Sequence, residues 1–228
     1  MPIMLFSPIL TFLLLGPATS AKPTNAVPPG DVAALVGQVQ KRYDDTIDLK
    51  ARFSQEVTTP ATGRKKLRTG LVMLKKPGRM RMDYEKPEKQ MYLSTGQIMW
   101  FFQPEERQAF KQDPKTAQLP AAFAFLMGKG RLIDEFEITV TKELPYGGPG
   151  DHKLSLKPKQ PQSTYKSIFF VVDPKTFLVK QSVLITATGE ISSLSFTDIV
   201  VNTKVADSAF KWTPPAGIKV VDVAKLGK

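Results

Sequence analysis

Apolar positions change period along the chain. Val32, Leu35, Val36, Val39 and Tyr43 recur at helical spacing, which predicts one amphipathic helix of about three turns with Asp31 as its N-cap. Lys41 and Arg42 fall near its C-terminal end, where the helix dipole favours cations. From Leu49 the period is two. Leu49, Ala51, Phe53, Gln55 and Val57 alternate with Lys50, Arg52, Ser54, Glu56 and Thr58, as in a strand with one dry face. A turn-rich loop, Thr59 to Lys66, leads to a strand from Gly70 to Lys76. Pro77 and Gly78 turn the chain. The return strand puts Met80, Met82 and Tyr84 on one face and charge on the other. A further hairpin follows: Gln90 to Ser94, a turn at Thr95 and Gly96, then Ile98 to Phe102.

The segment from Leu119 to Gly128 differs. Pro120 stands where a helix begins and Gly128 where one ends, and the residues between are apolar nearly all round. A short helix of that kind must be sandwiched or act as a cover. Alternation then resumes in Phe136, Ile138 and Val140, in Leu154 and Leu156, in a hairpin of 168–172 with 177–187, in 191–201 and in 218–223. With neither an internal repeat nor a linker, residues 31–228 read as one domain of about ten or eleven strands and two or three helices. The fold class expected is mainly β (α+β). Its form is a single curved antiparallel sheet whose concave side holds the helices.

Composition adds three constraints. Met1 to Ala21 carries no charge and runs from an apolar stretch into Ala18, Thr19, Ser20 and Ala21; it reads as a signal peptide cut after Ser20 or Ala21. Residues 22–30 then form a flexible, proline-rich lead, and the chain is expected to be exported. The chain has no cysteine, which removes thiol nucleophiles, zinc-thiolate sites and a lipidated N-terminal cysteine, so the exported protein is expected to be soluble. The net charge of +11 favours anionic partners or a well-solvated surface; its densest basic run, Arg64 to Arg68, falls in the loop.

Reactive constellations do not emerge. The chain's one histidine, His152, is expected in a turn after the glycine-rich stretch 147–151, and no G-x-S-x-G, H-E-x-x-H or P-loop pattern occurs. Asp44, Asp45, Glu105 and Glu106 belong to helix ends or turns. The aromatic residues align with apolar neighbours and not with a basic stripe, unlike a nucleic-acid binder. The expectation is a non-enzyme without metal, cofactor or nucleic acid.

Three stretches, taken in order, carry a resemblance. They are Leu49, Phe53 and Gln55; Gly70 to Pro77; and Gln90 to Pro104 with Trp100, Phe101 and Phe102. Together they resemble the outer-membrane lipoprotein carrier family, LolA, and the tail from Phe210 through Trp212 and Pro214 to Gly217 is similar to that family's end. The resemblance implies an open half-barrel with a helical lid, a soluble periplasmic location and a cavity for the acyl chains of lipoproteins. It also implies a monomer loaded by an inner-membrane ABC-type lipoprotein-releasing transporter and emptied into an outer-membrane receptor like LolB. Lys76 stands where the family has an arginine that latches the lid, and lysine offers a point charge in place of a planar fork.

On this reading Phe53, Val72, Leu74, Met80, Met82, Tyr84, Met91 and Leu93 line the cavity, facing Phe123, Leu126 and Met127 of the lid, with Lys76 as latch. The run 98–102 is apolar on both faces; Trp100 joins the cavity set, with Phe101 as the alternative. One buried acyl chain of about fourteen methylenes would gain roughly 11 kcal/mol, so a carrier must bury its cargo in part. The competing readings are a lipid sensor or carrier of another lipid on the same fold, and a basic envelope scaffold for anionic polymers.

Overall fold

The helix opens at Pro29, two residues earlier than its expected cap. The computed structural model describes residues 29–114, 125–126, 130–142 and 144–225; the segment read as signal peptide, Met1 to Ala21, and the residues of the lead as far as position 28 lie outside that set. Helix α1, Pro29–Asp44, begins on a proline whose missing N–H would have no intrahelical partner anyway. Asp31 therefore lies inside the first turn, near the positive end of the dipole, and does not cap it. Val36, Val39 and Tyr43 supply the buried stripe.

The strands are β1 (Asp48–Thr59), β2 (Arg64–Lys75), β3 (Arg79–Lys86), β4 (Gln90–Thr95), β5 (Met99–Gln103), β6 (Gln108–Gln112), β7 (Phe136–Val140), β8 (His152–Pro158), β9 (Tyr165–Val172), β10 (Val179–Thr186), β11 (Ile191–Val201) and β12 (Lys219–Asp222). They form one open, curved sheet in the order β12-β6-β5-β4-β3-β2-β1-β11-β10-β9-β8-β7. Neighbours are antiparallel except β12, which joins β6 in parallel. The fold class is as expected, with one strand more than the ten or eleven counted. The extra one is β6, whose Gln-Ala-Phe-Lys-Gln sequence has too few apolar positions to display a period. The β1–β2 hairpin is also tighter than read: Thr59 pairs with Arg64, so the basic run from Arg64 to Arg68 is strand and not loop.

Both faces of the sheet are covered in places. The concave face carries the larger core, in which Val39, Tyr43, Leu49, Val72, Met82, Phe125, Leu156, Ile168 and Phe170 are buried together. On the convex face, Met91, Leu93, Trp100 and Ala109 pack with Val205 and Phe210 of the C-terminal segment, alongside Trp212 and Ile218. Asp48 fastens the start of that segment. Its carboxylate, 3% exposed, accepts the Thr203 N–H at 2.8 Å, the Thr203 hydroxyl at 3.1 Å and the Val205 N–H at 3.2 Å. Lys75 and Arg79 hold Asp207 further along, at 2.5 and 2.8 Å. Replacing Asp48 with Ala leaves buried donors unpaired and should lower stability by about 3 kcal/mol in denaturant titration; a loss under about 0.5 kcal/mol, the usual effect of a surface change, would contradict this role.

Candidate functional site

Strand parity decides which side chains share the concave face. Leu49, Ala51 and Phe53 on β1 stand opposite Leu74, Val72 and Gly70 on β2, which in turn face Met80, Met82 and Tyr84 on β3. All except the glycine are buried hydrophobic residues of the concave core. The pairing then runs from Met82 to Tyr92 on β4, to Phe101 on β5 and to Phe110 on β6.

An aromatic row results. The ring centroids are 4.9 Å apart for Phe53 and Tyr84, 5.7 Å for Tyr84 and Tyr92, 4.4 Å for Tyr92 and Phe101, and 6.0 Å for Phe101 and Phe110. Phe53 and Tyr84 belong to strands that do not touch, since β2 runs between them. They meet because β2 places Gly70 there: a Cβ at Gly70 would lie 2.8 Å from Phe53 Cζ and 2.0 Å from the Asp83 carbonyl oxygen. The row is buried at Phe53 and Tyr84 and half-buried at Tyr92, Phe101 and Phe110. Tyr84 donates its hydroxyl to Gln55 Oε1 at 3.0 Å, and burial pushes its pKa up to about 12, so it remains a neutral donor.

Helix α1 covers the more buried part of this face. Its Tyr43 ring lies 4.8 Å from Phe125, and its hydroxyl accepts the Val179 N–H at 3.2 Å. Burial raises the Tyr43 pKa strongly. The end of α1 is tied down through its carbonyls. Thr46 Oγ1 donates to Arg42 O at 2.8 Å and Asn202 Nδ2 to Asp45 O at 3.2 Å. Lys76 Nζ donates to the carbonyl oxygen of Tyr43 and, at 3.2 Å, to that of Asp44. A cation at these terminal carbonyls also complements the negative end of the helix dipole. Between α1, Leu126 and the sheet lies an apolar cavity lined by Tyr43, Leu49, Val72, Leu74, Leu126, Val179, Phe196 and Ile199. The cavity is about 20 Å³, room for about one water and not for an acyl chain.

The structure thus brings Phe53, Val72, Leu74, Met80, Met82, Tyr84 and Leu126 into one cluster. It places Met91, Leu93 and Trp100 elsewhere. Met91 and Leu93 pair with Asp83 and Arg81, Trp100 pairs with Leu93, and all three lie in the convex core under the C-terminal segment. Alternation identified a dry face of β4 but not which side of the sheet it is. Tyr92 and Phe101 take the concave positions instead. Phe123 and Met127 lie outside the described residues. The residues missed from sequence, Tyr43, Phe125, Val179, Phe196 and Ile199, come from α1, the segment at Phe125, β10 and β11, distant in sequence and brought together only by the fold.

His152 begins β8, not a turn, and stacks on Phe177 with ring centroids 6.4 Å apart. Among the described residues no group of three or more His, Cys, Asp or Glu side chains could hold a metal ion. Among the same residues no helix is long and apolar enough to cross a membrane.

The family model for the outer membrane lipoprotein carrier protein LolA matches residues 45–213. The chain belongs to the LolA family. An outer-membrane lipoprotein carrier protein of Methylibium petroleiphilum is 30% identical over 172 residues, 75% of this chain and 81% of that one. One of Xanthomonas campestris pv. campestris is 29% identical over 178 residues, covering 78% and 83% respectively. An uncharacterized conserved protein of Thermus thermophilus shares the fold, with a TM-score of 0.54, 12% identity and coverage of 84% of this chain and 99% of that one. The match takes in β1 to β11 and the segment from Val205 to Trp212 that covers the convex core, and it stops short of α1 and β12, so the sheet positions of both cores of this LolA-family chain lie within it.

Gly70→Ala should break the aromatic row, because the Asp83 carbonyl is backbone and cannot give way. A loss of about 1–3 kcal/mol in thermal or denaturant unfolding is expected; unchanged stability with unchanged tyrosine fluorescence would contradict the close approach.

Proposed function

We propose that this protein is a periplasmic carrier of lipoproteins, exported by residues 1–21, which holds the acyl chains of its cargo on the concave face of the sheet. An inner-membrane ABC-type transporter loads it and a LolB-like outer-membrane receptor empties it, and no catalytic step is involved. Membership of the LolA family supports the class, as do its relatives, described as outer-membrane lipoprotein carrier proteins. The observation that carries the reading is the apolar concave face itself. It is sealed under α1 to 20 Å³ yet continues outward as the half-buried rings of Tyr92, Phe101 and Phe110.

That division suits transport. Fully burying a chain of about fourteen methylenes would gain roughly 11 kcal/mol and make release slow. A row of half-buried rings holds part of the chain and leaves part to the next partner. The remainder must displace α1 or the segment at Leu126, at the cost of contacts that re-form on release. Lys76 acts as a latch through α1, keeping Tyr43 against Phe125.

The direct test is mass spectrometry of the protein purified under native conditions from its own cell envelope. Co-purifying acylated peptides are expected. Anionic polymer bound in a salt-sensitive way, with no acylated ligand, would favour a basic scaffold and sink the carrier reading. Lys76→Leu tests the latch. The variant should fold, and it should exchange a bound diacylated peptide about fivefold faster, in line with the roughly 1 kcal/mol attributable to a cation at a helix C-terminus. Unchanged exchange would remove Lys76 from the gating.

A further inference from the structure

The basic run that the sequence suggests is a loop is an ordered part of the concave face. On β2, Arg64, Lys66 and Arg68 pair with Thr59, Val57 and Gln55 of β1, on the same side of the pleat as Phe53. Lys65 and Leu67 turn to the convex side, where Lys65 meets Glu56 at 2.9 Å. The chain thus sorts its densest charge by strand parity, aiming three cations along the concave face just beyond the aromatic row.

These cations line an open hollow of 740 Å³ together with Gln55, Val57, Thr59, Glu190 and Ser192, and Lys65 also reaches its edge from the strand's other side. Their partners are uneven. Lys66 is paired with Glu88 at 3.0 Å. Arg64 and Arg68 have no carboxylate within ion-pair distance among the described residues, although Glu190 shares the hollow. The Arg68 guanidinium carbon lies 5.9 Å from the centroid of the Tyr84 ring, and its Nε is enclosed without a hydrogen-bond partner. A guanidinium edge held in that way is partly desolvated and binds an anion more strongly than one free in water. Gln55 is fixed at the floor, accepting from Tyr84 at 3.0 Å and donating to Ser192 Oγ at 3.0 Å.

We propose that this hollow binds the phosphate of an anionic lipid, with Arg64 and Arg68 as its principal contacts and the lipid's acyl chains lying on the aromatic row. Two guanidinium forks match the paired oxygens of a phosphate diester. Tyr84 joins the two halves of the site, since its ring belongs to the apolar row and stands under Arg68. The cargo reading does not account for these cations. The proposal rests on the reading that the concave face takes acyl chains, and adds a second ligand class distinguished by its charged head.

The test compares three probes by isothermal titration calorimetry at low salt: dihexanoylphosphatidylglycerol, dihexanoylphosphatidylcholine and glycerol 1-phosphate. The anionic lipid should bind roughly tenfold more tightly than the zwitterionic one with the same chains, and glycerol 1-phosphate should bind at least that much more weakly than the anionic lipid. The double variant Arg64→Gln with Arg68→Gln should bring the anionic lipid down to the level of the zwitterionic one and leave the latter unchanged. Should that variant fail to fold, raising the salt with the unaltered protein should erase the same preference. Equal binding of both lipids overturns the headgroup site while leaving the acyl-chain reading intact. Glycerol 1-phosphate binding as tightly as the anionic lipid makes the hollow a free-phosphate site and overturns the lipid assignment. Failure of both lipids to bind brings down the acyl-chain reading and this proposal with it.

Discussion

The ammonium of Lys76 sits against the last carbonyls of α1, and much of the arrangement of the concave face follows from that attachment. A helix end leaves its final carbonyls without intrahelical partners. Here those of Arg42, Tyr43, Asp44 and Asp45 are met by Thr46, Lys76 and Asn202, side chains from the joint before β1, the β2–β3 turn and the end of β11. The helix is thereby fixed across the strands it covers. With its end pinned, Tyr43 is held between Phe125 and the Val179 N–H, and the cavity beneath shrinks to 20 Å³. The rest of the concave face, toward β6, is left half-open.

The division of labour between the two faces follows from one strand property. Because side chains alternate across a strand, each of β3, β4 and β5 supplies one set of residues to the concave face and another to the convex face. The convex set of β4 and β5 is sealed by the C-terminal segment, itself secured by Asp48 and Asp207. The convex core therefore serves as a static support. The concave set remains adaptable: Met80, Met82 and Met99 are among its buried members, and flexible methionine side chains repack readily.

The fold was largely legible in the sequence, and the site was half legible. Periods of 3.6 and 2 are local, so α1 and most strands could be read directly, whereas β6, with Ala109 and Phe110 as its apolar residues, could not. The motif order from Phe53 to Pro104 was enough for the family, and the clean alternation in Val72, Leu74, Met80 and Met82 was enough for the middle of the concave face. Parity failed where both faces are dry. Met91, Leu93 and Trp100 have the same apolar character as their concave neighbours, and only the covering by Phe210 and Trp212, more than a hundred residues later, assigns them to the other side. The basic run at Arg64 differs from its expected loop for a related reason. As a string it is a charge cluster, but as a strand it is two faces with different neighbours.

The central claim is that the concave face, and not the convex core, receives the acyl chain. A diacylated peptide carrying a diazirine on one chain, photolysed with the purified protein and mapped by mass spectrometry, tests this most directly. Adducts are expected on Tyr92, Phe101 and Phe110, extending to Val72, Met82 or Leu126. Adducts concentrated on Leu93, Trp100 or Trp212 would contradict it.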